Sequence, residues 1–199
     1  HRDLTDFGCH LTRRAGGKTI TPVYTQNMTE KQQFTLVRDY GDFELRKYPA
    51  HVLMQVEVEG DFMRAGNLGF GPLISYISGN NLSREKIAMT APVIQEPVSA
   101  TTHLVSFVLP NGTDPKDVPV PANARVTMKA MPEHLAGVRK FGGGWNESRF
   151  MSEGELLTKA VIREGFAPVG NLYWARFDPP WKPGFLKRNE ALINLKKDM

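Results

Sequence analysis

Tyr76-Ile77-Ser78-Gly79-Asn80-Asn81, and then Lys86-Ile87-Ala88-Met89-Thr90-Ala91-Pro92-Val93, set a helix end, a glycine turn and an apolar strand in a fixed order. Just upstream, Phe62, Ala65, Gly69, Leu73 and Ile77 recur at spacings of three and four. That period places them on one face of a helix over 61–77. Gly66, Gly69, Gly71 and Pro72 lower its intrinsic propensity, so patterned burial has to hold it. Gly69 and Gly71 would let another element approach the helix backbone closely.

Before the helix, residues 43–59 alternate. Val52, Met54, Val56 and Val58 share one face, and His51, Leu53, Gln55, Glu57 and Glu59 share the other. Period two means a strand with one buried face, and Pro49 divides it into two segments. After the opening stretch, 86–95 and 103–109 read as strands. Residues 110–123 hold four prolines and Asn111-Gly112, so they form a loop. Strands follow over 125–131, with Val126, Met128 and Ala130 on one face, and over 137–141, ended by Gly142-Gly143-Gly144. A second helix covers 147–163 with Leu156, Leu157, Ala160 and Val161 as its apolar residues, and strands over 173–177 and 191–195 close the chain. The order is strand, helix, strand, strand, and then strand, strand, helix, strand, strand. This is an α+β protein of two similar halves, which are expected to close a sheet around one core with a helix packed on each.

With 199 residues, 41% of them hydrophobic, the chain can bury a core of that kind. No apolar run reaches the roughly 18 residues of a membrane span. Twenty-five Lys and Arg against 21 Asp and Glu give a net charge of +4, scattered along the chain. Such a surface argues against nucleic-acid binding. One cysteine, Cys9, permits no internal disulfide, and a cytoplasmic setting is expected. Four Asn-x-Ser/Thr matches, at Asn27, Asn81, Asn111 and Asn146, are read as chance. Residues 1–27 lack clear periodicity, and residues 1–30 are expected to be an N-terminal extension, a tag or leader, before a domain over 31–199.

Motifs for catalysis fail on inspection. Gly17-Lys18-Thr19 lacks the earlier glycine of a P-loop, because Thr12 stands there. Gly69-x-Gly71 has Ile74 where a dinucleotide fingerprint needs glycine. Nucleophile-elbow, zinc-protease and c-type haem motifs are absent. No catalytic constellation is visible, and a non-enzymatic, ligand-binding protein is expected.

Three blocks carry a resemblance: the opening stretch, YGDFELRKYP at 40–49 and YWARFDPPWKPGFLKRNEALINL at 173–195. In this order they resemble the SOUL/haem-binding proteins, over roughly residues 36–195. The resemblance implies a distorted antiparallel or mixed β-barrel with two flanking helices, built from two pseudo-symmetric βαββ-like halves. The effector-binding domains of bacterial multidrug regulators have a similar fold.

It also implies non-covalent binding of haem or another tetrapyrrole, for sequestration, buffering or delivery. In some members a histidine before the tyrosine of the Arg-x-Tyr segment is the proposed axial ligand; here that position is Lys47. An exposed lysine titrates near 10.4 and makes a poor iron ligand, so Lys47 is expected to pair with a propionate or face solvent. Of the histidines, His51 is the best axial candidate. This chain looks closer to members that bind in an apolar groove beside the first helix. There Met63, Phe70 and Ile74 form a second helix stripe with Asn67 between them. Met89 would line the slot, and Lys47, Arg64 or Lys86 would meet the propionates. The alternatives are an effector-binding module for another amphipathic molecule, or an enzyme acting on one.

Overall fold

The computed structural model describes residues 29–179 and 181–196. The expected extension over 1–30 lies almost entirely outside them, as do Cys9, His1 and His10. The elements in chain order are β1 (Glu30–Lys31), β2 (Thr35–Asp39), β3 (Glu44–Tyr48), β4 (His51–Glu59), α1 (Phe62–Ile77), β5 (Thr90–Ala91), β6 (Val93–Pro97) and β7 (Thr102–Val108). Then come β8 (Val126–Met131), β9 (His134–Gly142), α2 (Glu147–Arg163), β10 (Pro168–Arg176) and β11 (Arg188–Leu195). Among these residues no helix is long and apolar enough to cross a membrane.

Nine strands form one antiparallel sheet in the order β2-β3-β9-β11-β10-β6-β7-β4-β8. The ladder has two ends, at β2 and β8, so the expected barrel does not close. A separate parallel pair joins β1 to β5. The two halves meet where β6 pairs with β10, in the register Trp174↔Gln95, Ala175↔Ile94 and Arg176↔Val93.

Each helix is started by a side chain. Asp61 Oδ1 accepts from the backbone N–H of Met63 and Arg64 at 3.0 and 2.8 Å, and Asn146 Oδ1 accepts from Arg149 N at 3.0 Å. These caps satisfy N–H groups that have no partner within the helix. At the end of α1, Asn81 does comparable work. Its Nδ2 donates to Tyr76 O at 3.2 Å and Glu85 O at 2.7 Å, while its Oδ1 accepts from Glu85 N at 3.0 Å. The helix end is thereby tied to the segment that follows.

α1 packs on β4 and β7, and Ala65, Leu73, Tyr76 and Ile77 join Val52, Met54, Val56, Val58, Val105 and Phe107 in one core. α2 packs on β9, β10 and β11 with Phe150, Leu157 and Val161 in a second. Phe62, from the first turn of α1, reaches across into that second core. Its ring lies 5.1 Å from Trp174 and 5.4 Å from Phe150, both edge-on.

The face of the sheet away from the helices is also buried. Leu53, Ile94 and Val108 form one cluster there, and Tyr48, Ala136, Val138, Ala175 and Leu192 another. Two-sided burial overturns the expected polar face of β4, where Leu53 and Gln55 are each 6% exposed. Gln55 is satisfied by donating to Ser106 Oγ at 3.0 Å. The stretch 86–89, expected as strand, is instead a loop beside α1, with Ile87 N donating to Ile77 O at 2.8 Å.

On this second face Arg46 is nearly inaccessible. It donates from Nη1 and Nη2 to the two oxygens of Glu190, both at 2.9 Å, and from Nε to Glu44 Oε2 at 2.7 Å. Lys140 also binds Glu44. Burial disfavours the Arg46 charge, but the hydrogen bonds it donates to Glu190 and Tyr48, together with their electrostatic attraction, outweigh that and hold the guanidinium ionised well above its usual range. Burial likewise raises Glu44, and its bonds to Lys140 and Arg46 more than reverse that.

Two expectations follow from this packing. A Cβ on Gly69 would stand 2.4 Å from Val105 Cβ. Gly69→Ala should therefore lose about 1–3 kcal/mol through overpacking, more than the ~1 kcal/mol gained in helix propensity. Gly71, whose Cβ would meet nothing within 4 Å, should tolerate Ala to within about 1 kcal/mol; urea unfolding of the pair checks this. Arg46→Met strands Glu190 in a buried site and should cost about 3–5 kcal/mol, whereas Arg46→Met with Glu190→Leu should recover most of the loss.

Candidate functional site

Strand alternation at the β6–β10 junction points successive side chains to opposite faces. Each face carries a groove. On the helix side, Val93, Gln95 and Arg176 form the floor of a groove of about 430 Å³. Gly66, Asn67 and Phe70 of α1 line it together with Trp145, Trp181 and Met89, and with Phe177, which also lines the groove on the opposite face. On the far side, Ile94 and Ala175 line a groove of about 590 Å³ together with Phe34, Leu192 and the Arg46–Glu190 pair.

The helix-side groove exists because of what α1 lacks. A Cβ at Gly66 would sit 2.2 Å from Arg176 Nη1, so only glycine lets the guanidinium lie against the helix backbone. The groove's outer wall depends on Asp178. Its carboxylate accepts from Lys182 Nζ at 2.6 Å and from Arg188 N at 2.6 Å, fixing the turn that carries Trp181. Burial raises the Asp178 carboxyl, and these bonds pull it below its usual range. Trp181 is 84% exposed and Phe70 38%, which is an unusual outlay of aromatic surface.

The two grooves differ in charge. Every cation facing the sheet-side groove from β3 and β9 has a carboxylate partner, as described for Arg46 and Lys140. Arg176 has none. It is 6% exposed, and its Nε and Nη2 make no hydrogen bond. Burial alone pushes it down to about 10, so it remains a cation at neutral pH. Its guanidinium lies 4.8 Å from the Trp145 ring centroid and 5.4 Å from those of Phe62 and Phe150. Contacts of that kind contribute about 0.5–2 kcal/mol, less than the several kcal/mol that an uncompensated buried ion costs. The Trp145 Nε1 and Gln95 Oε1 are also buried without partners. On the other side of Trp145, Lys187 Nζ lies 4.1 Å from the ring centroid.

The residues singled out from the sequence fall in several places. Asn67, Phe70 and Met89 come together in the helix-side groove. Met63 packs toward the α2 core and Ile74 toward the α1 core. Arg64 is exposed on α1 outside the groove lining, as is Lys86 in the loop after it. Lys47 lies on β3 and pairs with Glu133 at 2.9 Å. His51 has Pro49 O 2.8 Å from Nδ1 and Gln32 Nε2 3.2 Å from Nε2. It lines neither large groove. Burial, then the nearby His134, lowers its pKa against the raising effect of Pro49 O.

Among the described residues, no group of three or more His, Cys, Asp and Glu could hold a bare metal ion. Among the described residues, the groove lining contains no histidine, and the Met89 thioether is its one soft donor. Arg176, Trp145 and Trp181 were not among the expected residues. A signal for Arg176 was present, since period two places it on the same strand face as Trp174, a basic residue where apolar ones belong.

Residues 29–194 match the family described as SOUL heme-binding protein. Heme-binding protein 2 of Mus musculus is 30% identical over 168 residues, 79% of this chain and 80% of that protein, and Heme-binding protein 2 of Homo sapiens gives the same values. Among solved structures, the EcmrR C-terminal domain superposes with a TM-score of 0.59 at 13% identity, over 77% of this chain and 96% of that one. A hydrolase from Listeria innocua gives 0.52 at 12%, over 78% and 92%. At such identities the likeness shows the fold alone. The match over most of the length, together with relatives at 30% identity, establishes that this chain belongs to the SOUL heme-binding protein family.

Proposed function

We propose that the chain binds haem or a related tetrapyrrole reversibly in the helix-side groove, and so sequesters, buffers or delivers it without catalysing a reaction. The observation that carries this reading is the groove itself: aromatic walls around a floor that holds a buried, unpaired cation. A porphyrin has two flat apolar faces and acidic groups along one edge, and it matches both features. A volume of about 430 Å³ falls in the range of small-molecule sites. Phe70, Trp181 and Met89 would cover the porphyrin faces, and Asn67 would offer a polar contact at the wall. Arg176 would meet an acidic group. When haem is bound, its iron would accept a donor from the chain; Met89 would be the soft donor among the described lining residues, and burial of the ring would contribute more to affinity than coordination.

A module for another amphipathic ligand would use the same groove. The unpaired arginine favours an anionic ligand over a cationic one. The far-side groove is the weaker candidate, because its buried cation, Arg46, and the neighbouring Lys140 already have carboxylate partners.

Ferric haem and iron-free protoporphyrin IX should both saturate the protein, followed at the Soret band, with affinities within about tenfold of each other. Phe70→Asp sets a charge against an apolar wall and should weaken both by tenfold or more. Phe70 suits this test better than Ile74, since it is partly exposed and its main ring contact is with Phe107 at 5.4 Å. Absence of saturable binding by either pigment would remove the tetrapyrrole reading.

A further inference from the structure

We propose that Arg176 is a carboxylate-binding residue at the floor of the helix-side groove, so that the ligand enters with a planar oxyanion first and its apolar body outward. This rests on the same groove as the function proposed above and goes beyond it by fixing the ligand's polarity and orientation. In the expectation drawn from sequence, cations at the groove mouth meet the acid. In the structure the lysines and arginine named for that purpose lie outside the lining, and among the described residues its one cation is the buried Arg176.

Four observations converge on this residue. Arg176 is buried, yet Nε and Nη2 have no acceptor. No acidic side chain is recorded in a salt bridge with it among the described residues, and Asp178, the one carboxylate of the lining, is taken by Lys182 and Arg188. The Nε1 donor of Trp145 is likewise buried and unused, so a second N–H lies in the same lining as the guanidinium. Gly66 lets Nη1 lie flush against the helix backbone, which holds the guanidinium in the groove lining. Guanidinium donors form a planar fork that fits a carboxylate in a bidentate manner. The far-side groove shows the completed version within the same chain, where Arg46 carries the two oxygens of Glu190. A carboxylate from outside would do for Arg176 what Glu190 does for Arg46.

Two kinds of molecule bring a carboxylate on an apolar body: a tetrapyrrole with propionates and a fatty acid. The test titrates the protein with protoporphyrin IX, its neutral dimethyl ester and dodecanoate, read by tryptophan fluorescence. Protoporphyrin should bind the unaltered protein at least about tenfold tighter than the ester, the size expected for charged hydrogen bonds. Arg176→Met should erase that preference while leaving ester affinity unchanged, and Arg176→Lys should keep part of it. Thermal melting of ligand-free Arg176→Met should show a midpoint equal to or above that of the unaltered protein, because an uncompensated ion is removed; a purely structural arginine would instead lower it. If porphyrins fail to bind but dodecanoate binds and depends on Arg176, the tetrapyrrole reading falls and the carboxylate site stands. Equal affinity for acid and ester, a preference that survives in Arg176→Met, or no binding of any of the three overturns the proposal.

Discussion

The close seating of α1 on the sheet is the constraint on which the rest of the molecule depends. Gly69 has no Cβ, and Val105 occupies that space. Gly66 has none either, and the guanidinium of Arg176 occupies that one. The same helix face therefore makes two contacts that a larger residue would forbid. One joins α1 to the core of its own half. The other reaches across the junction to a strand of the second half, where Phe62 already packs among Trp174 and Phe150. A helix with poor intrinsic propensity is held by tertiary packing, as is usual for helices in folded domains, and the glycines that weaken it are what allow the packing.

From that seating the groove follows. Since β6 and β10 are neighbours, alternation sends Val93, Gln95 and Arg176 under α1 and sends Ile94 and Ala175 to the far side. The two faces resolve their buried charge in opposite ways. On the far side Arg46, Glu44, Glu190 and Lys140 neutralise one another, which rigidifies β3, β9 and β11. On the helix side a cation is kept without its counter-ion. Stability alone does not favour that arrangement; a ligand that completes it does, by binding the folded state. Arg176 is thus a place where local rules are broken, as is common at functional positions.

Much of the architecture was legible from periodicity. The helices over 62–77 and 147–163, the break at Pro49 and the loop over 110–123 all appear where the pattern places them. Strand β2 was missed because Thr35–Asp39 is exposed throughout and carries no alternation. Leu53 and Gln55 were assigned to a polar face because alternation reports one buried side, whereas this curved sheet buries both. Ile87 to Met89 looked like strand because an apolar run reads the same whether it pairs with a neighbour or packs beside a helix. Of the residues proposed for the groove, Asn67, Phe70 and Met89 line it, whereas Met63 and Ile74 pack against the two cores and Arg64 lies outside the lining. The sequence could not bring out Trp145 and Trp181, which arrive from distant loops. Lys47 and Arg64 carry a charge suited to an acidic ligand, but charge alone does not say which way a side chain faces.

The central claim is that a tetrapyrrole occupies the groove under α1 and not the larger one on the opposite face. It is tested most directly by following backbone and indole amide resonances of labelled protein during titration with protoporphyrin IX. The account predicts shifts at Asn67, Phe70 and Thr90 and at the indole N–H of Trp145 and Trp181. It predicts little change at the indole of Trp174, which is buried and donates to Phe150 O at 3.1 Å. Shifts confined to Lys31, Phe34, Gly142 and Leu192 would place the ligand on the far face and contradict the account.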